Sequence, residues 1–98
     1  MANVVHSDEE VVVVTDINPK APVHLLILPR KHLDSLTEMA REDSYLLGHM
    51  VWTAKILADE HRLTNKGYKL VMNVGTDAGQ TVPHVHLHLL GGKEMKEV

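Results

Sequence analysis

Apolar and polar positions alternate along this chain in a way that predicts short strands around one long helix. Val4-Val5-His6 and Val11 to Thr15 are β-branched runs separated by Ser7-Asp8-Glu9-Glu10, the pattern of a hairpin. Asp16 to Pro22 holds Asn18-Pro19 and Ala21-Pro22 and predicts a turn-rich link. Val23 to Leu28 is apolar except at His24 and is closed by Pro29, which predicts a central strand covered on both faces. Ser35-Leu36-Thr37-Glu38 has capping-box spacing and predicts a short helical turn. From about Arg41 to Arg62, Leu47, Met50, Val51, Ala54, Leu57 and Ala58 recur at helical spacing, giving a long amphipathic helix. Asn65-Lys66-Gly67 is then a turn, Tyr68 to Val74 a strand, and Gly75 to Val82 a glycine-containing loop. Pro83 opens a last strand, a position where its missing N–H is tolerated. The expected fold is α+β: an antiparallel sheet of about five strands with one long helix and a short helical turn, in a single domain over residues 1–98.

Composition narrows the function. Ninety-eight residues suit one modest core, and with Trp52, Tyr45, Tyr68 and no Phe that core must be aliphatic. So little aromatic mass makes oligomerisation physically reasonable. A formal charge of −3 without a basic stripe argues against duplex nucleic acid as a partner, though a single nucleotide needs only a few donors. The absence of cysteine rules out disulfides, thiolate metal sites and a cysteine nucleophile. Residues 1–10 lack the pattern of a signal peptide, and no apolar run reaches the roughly 20 residues of a membrane span. The expectation is a cytoplasmic protein without membrane contact.

The chemistry gathers at His84-Val85-His86-Leu87-His88. On a strand these three imidazoles would share one face at roughly 6.6 Å intervals, backed by Val85, Leu87 and Leu89 on the other. Such a row can decorate an exposed face. It can also chelate zinc through histidines at i and i+2, although no carboxylate stands near it in sequence to orient the rings. A third reading is nucleophilic attack on phosphorus by a neutral imidazole, whose reference pKa of about 6.5 suits it to neutral pH. The central histidine fits that role. Around it, the glycines of Gly75-Thr76-Asp77-Ala78-Gly79-Gln80-Thr81 let backbone N–H groups approach phosphate, and Gln80 and Thr81 can donate to its oxygens. No metal and no cofactor is needed on this reading.

Asn73-Val74-Gly75, Ala78-Gly79-Gln80-Thr81-Val82 and the run from His84 to Gly92 resemble the histidine triad (HIT) superfamily. Gly91-Gly92 and the segment Asp16 to His24 resemble its Hint branch. The similarity runs from about Val4 to Gly92. It implies a nucleotide hydrolase or transferase acting at an α-phosphate, typically of purine nucleoside phosphoramidates. In that scheme His86 attacks phosphorus and is transiently nucleotidylated, while His84 and His88 bind phosphate oxygens. Thr81 stands where the family more often has Ser and keeps the hydroxyl. Asn73 and Gly79 would contact phosphate, with Gln80 beside it. His24 matches a fourth histidine that supports the triad. Asp16 would accept from the ribose hydroxyls, although a turn cap before Asn18-Pro19 explains it equally well on local grounds. Ile17 and Leu26 would lie against base or sugar. The resemblance also implies a homodimer paired through the long helix and an edge strand. His6, His32, His49 and His61 match nothing catalytic and read as ordinary surface or helix residues.

Two departures stand out. The family carries about two dozen residues before the position of Val4 that help wall the base pocket. Here Met1-Ala2-Asn3 stand there, and Val14 and Thr15 are slight, which predicts a more open base site. Lys93 to Val98 lacks the tryptophan-proline ending of many Hint proteins, whose tail reaches towards the partner's active site. Alternative functions are dinucleoside polyphosphate hydrolysis, against which Gly91-Gly92 argues, a nucleotide-binding interaction module with little turnover, and a zinc-binding protein.

Overall fold

A computed structural model describes residues 2–98; Met1 lies outside them. The β-branched runs form β1 (Val4–Ser7) and β2 (Val11–Thr15), and the apolar run forms β3 (Val23–Pro29). Helix α1 spans Ser44–Glu60, followed by β4 (Tyr68–Val71) and β5 (Leu87–Gly91). All strand pairs are antiparallel, in the order β1-β2-β3-β5-β4. The expected five-stranded α+β architecture is therefore the observed one.

Alternation sorts β3 into two faces. Leu25 and Ile27 point into the core with Val11, Val13, Leu87 and Leu89, against Leu46, Met50, Ala54, Leu57 and Ala58 of α1. His24, Leu26 and Leu28 take the opposite face. There His24 is buried, but Leu26 and Leu28 are only half-buried, so the expectation of cover on both faces fails on that side. That half-open face is where the site lies. Burial of each large aliphatic side chain on the covered face contributes about 1.5–3 kcal/mol.

Several boundaries depart from the periodicity. The short turn is a 3₁₀ helix at Leu36–Glu38, capped by Ser35, whose hydroxyl accepts from Thr37 N–H. Arg41–Asp43 is a second 3₁₀ turn rather than the start of α1. Buried Asp43 explains it: its carboxylate accepts from Ala40 N–H at 2.9 Å and from Lys31 Nζ at 2.7 Å, and so organises that turn locally. At the other end Arg62 adopts φ 60°, Arg62 N–H returns to Asp59 O and Leu63 N–H to Ala58 O. This is a Schellman closure, and buried Leu63 completes it with its apolar contact. Val51, placed in the apolar stripe by spacing, is 48% exposed, and Leu46 takes the core position instead.

The last strand also starts later than expected. Pairing begins at Leu87, opposite Ile27, so Pro83 does not open it and His84, Val85 and His86 precede it. Val85 N–H donates instead to Leu33 O in the segment after β3. β4 ends correspondingly at Val71, opposite His88, and not at Val74. At the far end of β5 a Cβ on Gly91 would meet Leu63 Cδ1 at 2.7 Å, so the position favours glycine.

The β1–β2 turn is held by Asp8. Its Oδ1 accepts from Glu10 and Val11 N–H, and its Oδ2 lies 2.9 Å from Nε2 of both His6 and His49. His6 and His49 thus clamp the hairpin to α1. His61 Nδ1–H donates to Leu57 O, at the end of α1. Among the described residues no helix is long and apolar enough to cross a membrane.

Candidate active site

The tertiary structure regroups the histidines. His24, on β3, and His88, on β5, have ring centroids 5.1 Å apart, and His86 lies 4.9 Å from His88. These three imidazoles form one continuous row. His84 is turned elsewhere: its Nε2–H donates to Pro29 O at 3.1 Å, and its ring meets that of His32 edge-on at 5.1 Å. Val85, Leu87 and Leu89 are buried while His84, His86 and His88 are half-buried, so the alternation persists although only His88 of the three sits in the ladder.

Backbone groups assign the tautomers. Lys20 N–H donates to His24 Nδ1 at 3.0 Å, which leaves the neutral His24 ring its proton on Nε2. That Nε2–H donates to His88 Nδ1 at 2.9 Å, with the Asp16 carboxylate 3.4 Å away. His88 therefore carries its own proton on Nε2. His86 is set the opposite way: its Nδ1–H donates to His84 O at 2.8 Å, leaving Nε2 as a lone-pair nitrogen. One ring of the row thus presents a nitrogen lone pair and the next an N–H donor.

Burial holds the imidazole of His24 below its ordinary pKa, with Lys20 adding to the shift and Asp16 opposing it. Burial also lowers that of His88, helped by the neighbouring His86 and His24 and opposed by Asp16. Both rings are accordingly neutral at pH 7, as the hydrogen-bond relay requires. The unfolded chain takes up these protons near pH 6.5, before the folded chain does, so folding stability falls as pH drops below about 6.5. Carboxylate protonation contributes only at lower pH. We expect the thermal midpoint to decline between pH 7 and pH 5 and the decline to be shallower in His24→Gln. A midpoint equally insensitive to pH in both proteins would contradict the assignment.

A cavity of about 600 Å³ opens on this face. Of the residues expected at the site, Asp16, Ile17, Leu26, Asn73, Gly79, Thr81, His24, His86 and His88 all line it. His84 and Gln80 do not. Gln80 is spent on the loop itself, its Oε1 accepting from Gly75 N–H and its Nε2 donating to Asp34 O and Val82 O. The amide groups of Gly75, Ala78, Gly79 and Gln80 are likewise bonded inside the loop, which contains a 3₁₀ turn at Thr76–Ala78. They form no open backbone cradle, because Gly75 and Gly79, both at φ 81°, serve to close the turn. Asn73 Nδ2 donates to Ala78 O and ties the same loop to the end of β4. Asp16 combines two local roles, since its Oδ1 also accepts from Asn18 N–H at 2.7 Å, the turn cap that local sequence allows. Ile17 is 66% exposed at the cavity rim, and Ala2, Val14 and Thr15 line the same wall.

Asp16, His24 and His88 also place one ligand atom each within 4.8 Å of one another, a set that could hold a metal ion. The carboxylate that the sequence around the triad lacks is brought in from the end of β2. Sequence reasoning missed this, and it missed Lys20, whose backbone N–H starts the relay. It also missed Pro29 and His32, which occupy His84. None of these had a local signal, because each acts through a contact made by folding.

Residues 1–95 match the family model described as HIT domain. An uncharacterized HIT-like protein of Synechococcus elongatus is 42% identical over 94 residues, spanning 96% of this chain and 82% of its own. Among solved structures, a HIT family hydrolase from Legionella pneumophila superposes with TM-score 0.95 at 44% identity, covering 99% of this chain and 87% of that one. A histidine triad protein from Clostridium difficile has TM-score 0.95 at 33% identity, covering 100% and 85%. With the triad, its loop and nearly the whole chain matched, this protein belongs to the HIT domain family.

Proposed function

We propose that the protein is a hydrolase that cleaves purine nucleoside 5′-phosphoramidates at the α-phosphate through a nucleotidyl-His86 intermediate. The observation that carries this reading is the His86 Nδ1–H bond to His84 O, which leaves Nε2 unprotonated beside the cavity. Similarity to the Legionella pneumophila hydrolase supports the reaction class. Asp16 would accept from the ribose hydroxyls and Ile17 and Leu26 would cover the base or sugar. Thr81 and His88 would donate to phosphate oxygens. His86 Nε2 attacks phosphorus as the P–N bond breaks, and the amine departs with that electron pair and a proton taken from solvent, while His88 Nε2–H stays bonded to a phosphate oxygen. Water then attacks the phosphorus, the bond to His86 Nε2 breaks and restores the free imidazole, and the 5′-nucleotide leaves as the proton of the water passes to solvent. We further propose a homodimer through α1 and edge strand β4, where Tyr45, Trp52 and Leu70 are exposed.

The second reading is a metal site on Asp16, His24 and His88. A bound ion would have to replace the proton shared between His24 and His88, which stand 2.9 Å apart. One experiment separates the two. The protein is mixed with adenosine 5′-phosphoramidate under single-turnover conditions in excess chelator, quenched, digested and examined by mass spectrometry. The expected result is an adenylylated peptide containing His86, missing in His86→Ala. Turnover abolished by chelator and restored by zinc would instead establish the metal reading. Tight binding of AMP with no adenylylated peptide and no turnover would leave a nucleotide-binding module.

A further inference from the structure

A second cavity, of about 450 Å³, shares a wall with the first. Lys20, His24, Asn73 and His88 line both, whereas His86 lines only the larger one. Beyond that wall Lys69, Lys93 and Lys96 join Lys20 around the smaller cavity, with Glu94 as the one carboxylate. This concentration is notable in a chain whose net charge is −3. Lys69 Nζ–H donates to Lys96 O at 3.2 Å, which ties the C-terminal segment to β4 beside this cavity. Lys20 Nζ–H donates to Asn18 O. No side chain of the phosphate site as described uses Lys69, Lys93 or Lys96.

In-line displacement at phosphorus sends the leaving group away from the attacking nitrogen. With a nucleoside in the larger cavity and His86 as nucleophile, the leaving group passes His88 and Asn73 towards the smaller one. We infer that this lysine-lined cavity receives the leaving group and selects nucleoside phosphoramidates whose departing amine bears a negative charge. The inference rests on the proposed hydrolysis and adds to it the chemical class of the leaving group. Lysines suit the task as mobile point charges that attract an anion without demanding one geometry. Positive charge around a cleft also raises local anion concentration, an effect that salt weakens.

Three adenosine 5′-phosphoramidates of similar size test it, with leaving amines β-alanine, propylamine and 1,3-diaminopropane, carrying a negative, no and a positive charge. We expect kcat/KM to fall in that order, with about a fivefold advantage of the β-alanine compound over the propylamine one. The advantage should shrink in 0.5 M salt, a concentration on the order of that at which exposed pairs are largely screened. In the variant Lys69→Gln/Lys93→Gln/Lys96→Gln the three substrates should converge while propylamine turnover stays unchanged. Equal handling of all three by the native protein, or discrimination that survives in the variant, would overturn the inference. Binding of the same compounds to His86→Ala, followed by calorimetry, separates this from the hydrolysis reading. The same order of affinity without turnover in the native protein would sink the hydrolase and keep the anion pocket. Equal affinities would sink the pocket whatever the turnover.

Discussion

His86→Ala is expected to lower kcat/KM for adenosine 5′-phosphoramidate by about 10⁴-fold or more, as loss of a nucleophile does when nothing else can form the covalent intermediate. The thermal midpoint should hardly move, because the side chain is half-buried and its one hydrogen bond is to the backbone of His84. His84→Ala separates the geometry from the family resemblance. If the His84 ring donated to phosphate, its loss would cost about 10²–10³-fold, as for other single donors to a developing negative charge. The structure places that ring on Pro29 O and outside the cavity lining. We therefore expect a loss of less than about tenfold, together with about 1 kcal/mol of stability from the orphaned Pro29 carbonyl. In the proposed mechanism His84 supplies its backbone oxygen to His86 Nδ1–H, and alanine keeps that oxygen. Steady-state kinetics on the two variants, with thermal unfolding alongside, decide the matter. Equal and large losses in both would refute the division of roles.

Ile27→Ala is expected to cost about 2–5 kcal/mol, the range for truncating a fully buried aliphatic side chain. Ile27 has no exposed surface, sits in the middle of central strand β3, and faces the helix. A domain of this size has about 5–15 kcal/mol of stability in total, so this one change removes much of it. The midpoint should drop by roughly 4–8 °C for each kcal/mol lost. Leu26→Ala, one residue earlier, should behave in the opposite manner. Leu26 is half-buried on the cavity face, so its loss should weaken nucleotide binding more than it weakens the fold. Chemical denaturation and AMP titration of both variants test the pairing. If Leu26→Ala is the more destabilised of the two, the assignment of faces is wrong.

Much of the fold was legible before folding was considered. The two valine runs, the apolar strand around His24 and the long stripe from Met50 to Ala58 became β1, β2, β3 and α1, because each pattern satisfies one period. The errors lie where a side chain competes with that period. Asp43 draws Arg41–Asp43 into a 3₁₀ turn, and Arg62 in the left-handed region stops α1 early. His84-Val85-His86 keeps strand-like alternation but leaves the ladder, because Val85 N–H finds Leu33 O instead of a strand partner. Most of the residues expected at the site from resemblance and spacing line one cavity. Gln80 was misplaced, since an amide can donate to phosphate or to its own loop, and only the folded loop shows which.

By itself the sequence determined which side chains share a side of the backbone, since that parity is local to each residue. It therefore set His84, His86 and His88 apart from the buried Val85, Leu87 and Leu89. Only the tertiary structure decided what each imidazole does. The partners of two of them come from elsewhere in the fold, His24 for His88 and Pro29 O for His84, while Lys20 N–H reaches His24 from the turn just before it. A histidine's role depends on which nitrogen keeps its proton: for His86 a backbone oxygen two residues away settles it, whereas for His88 it is settled by a contact that exists only once β3 and β5 pair.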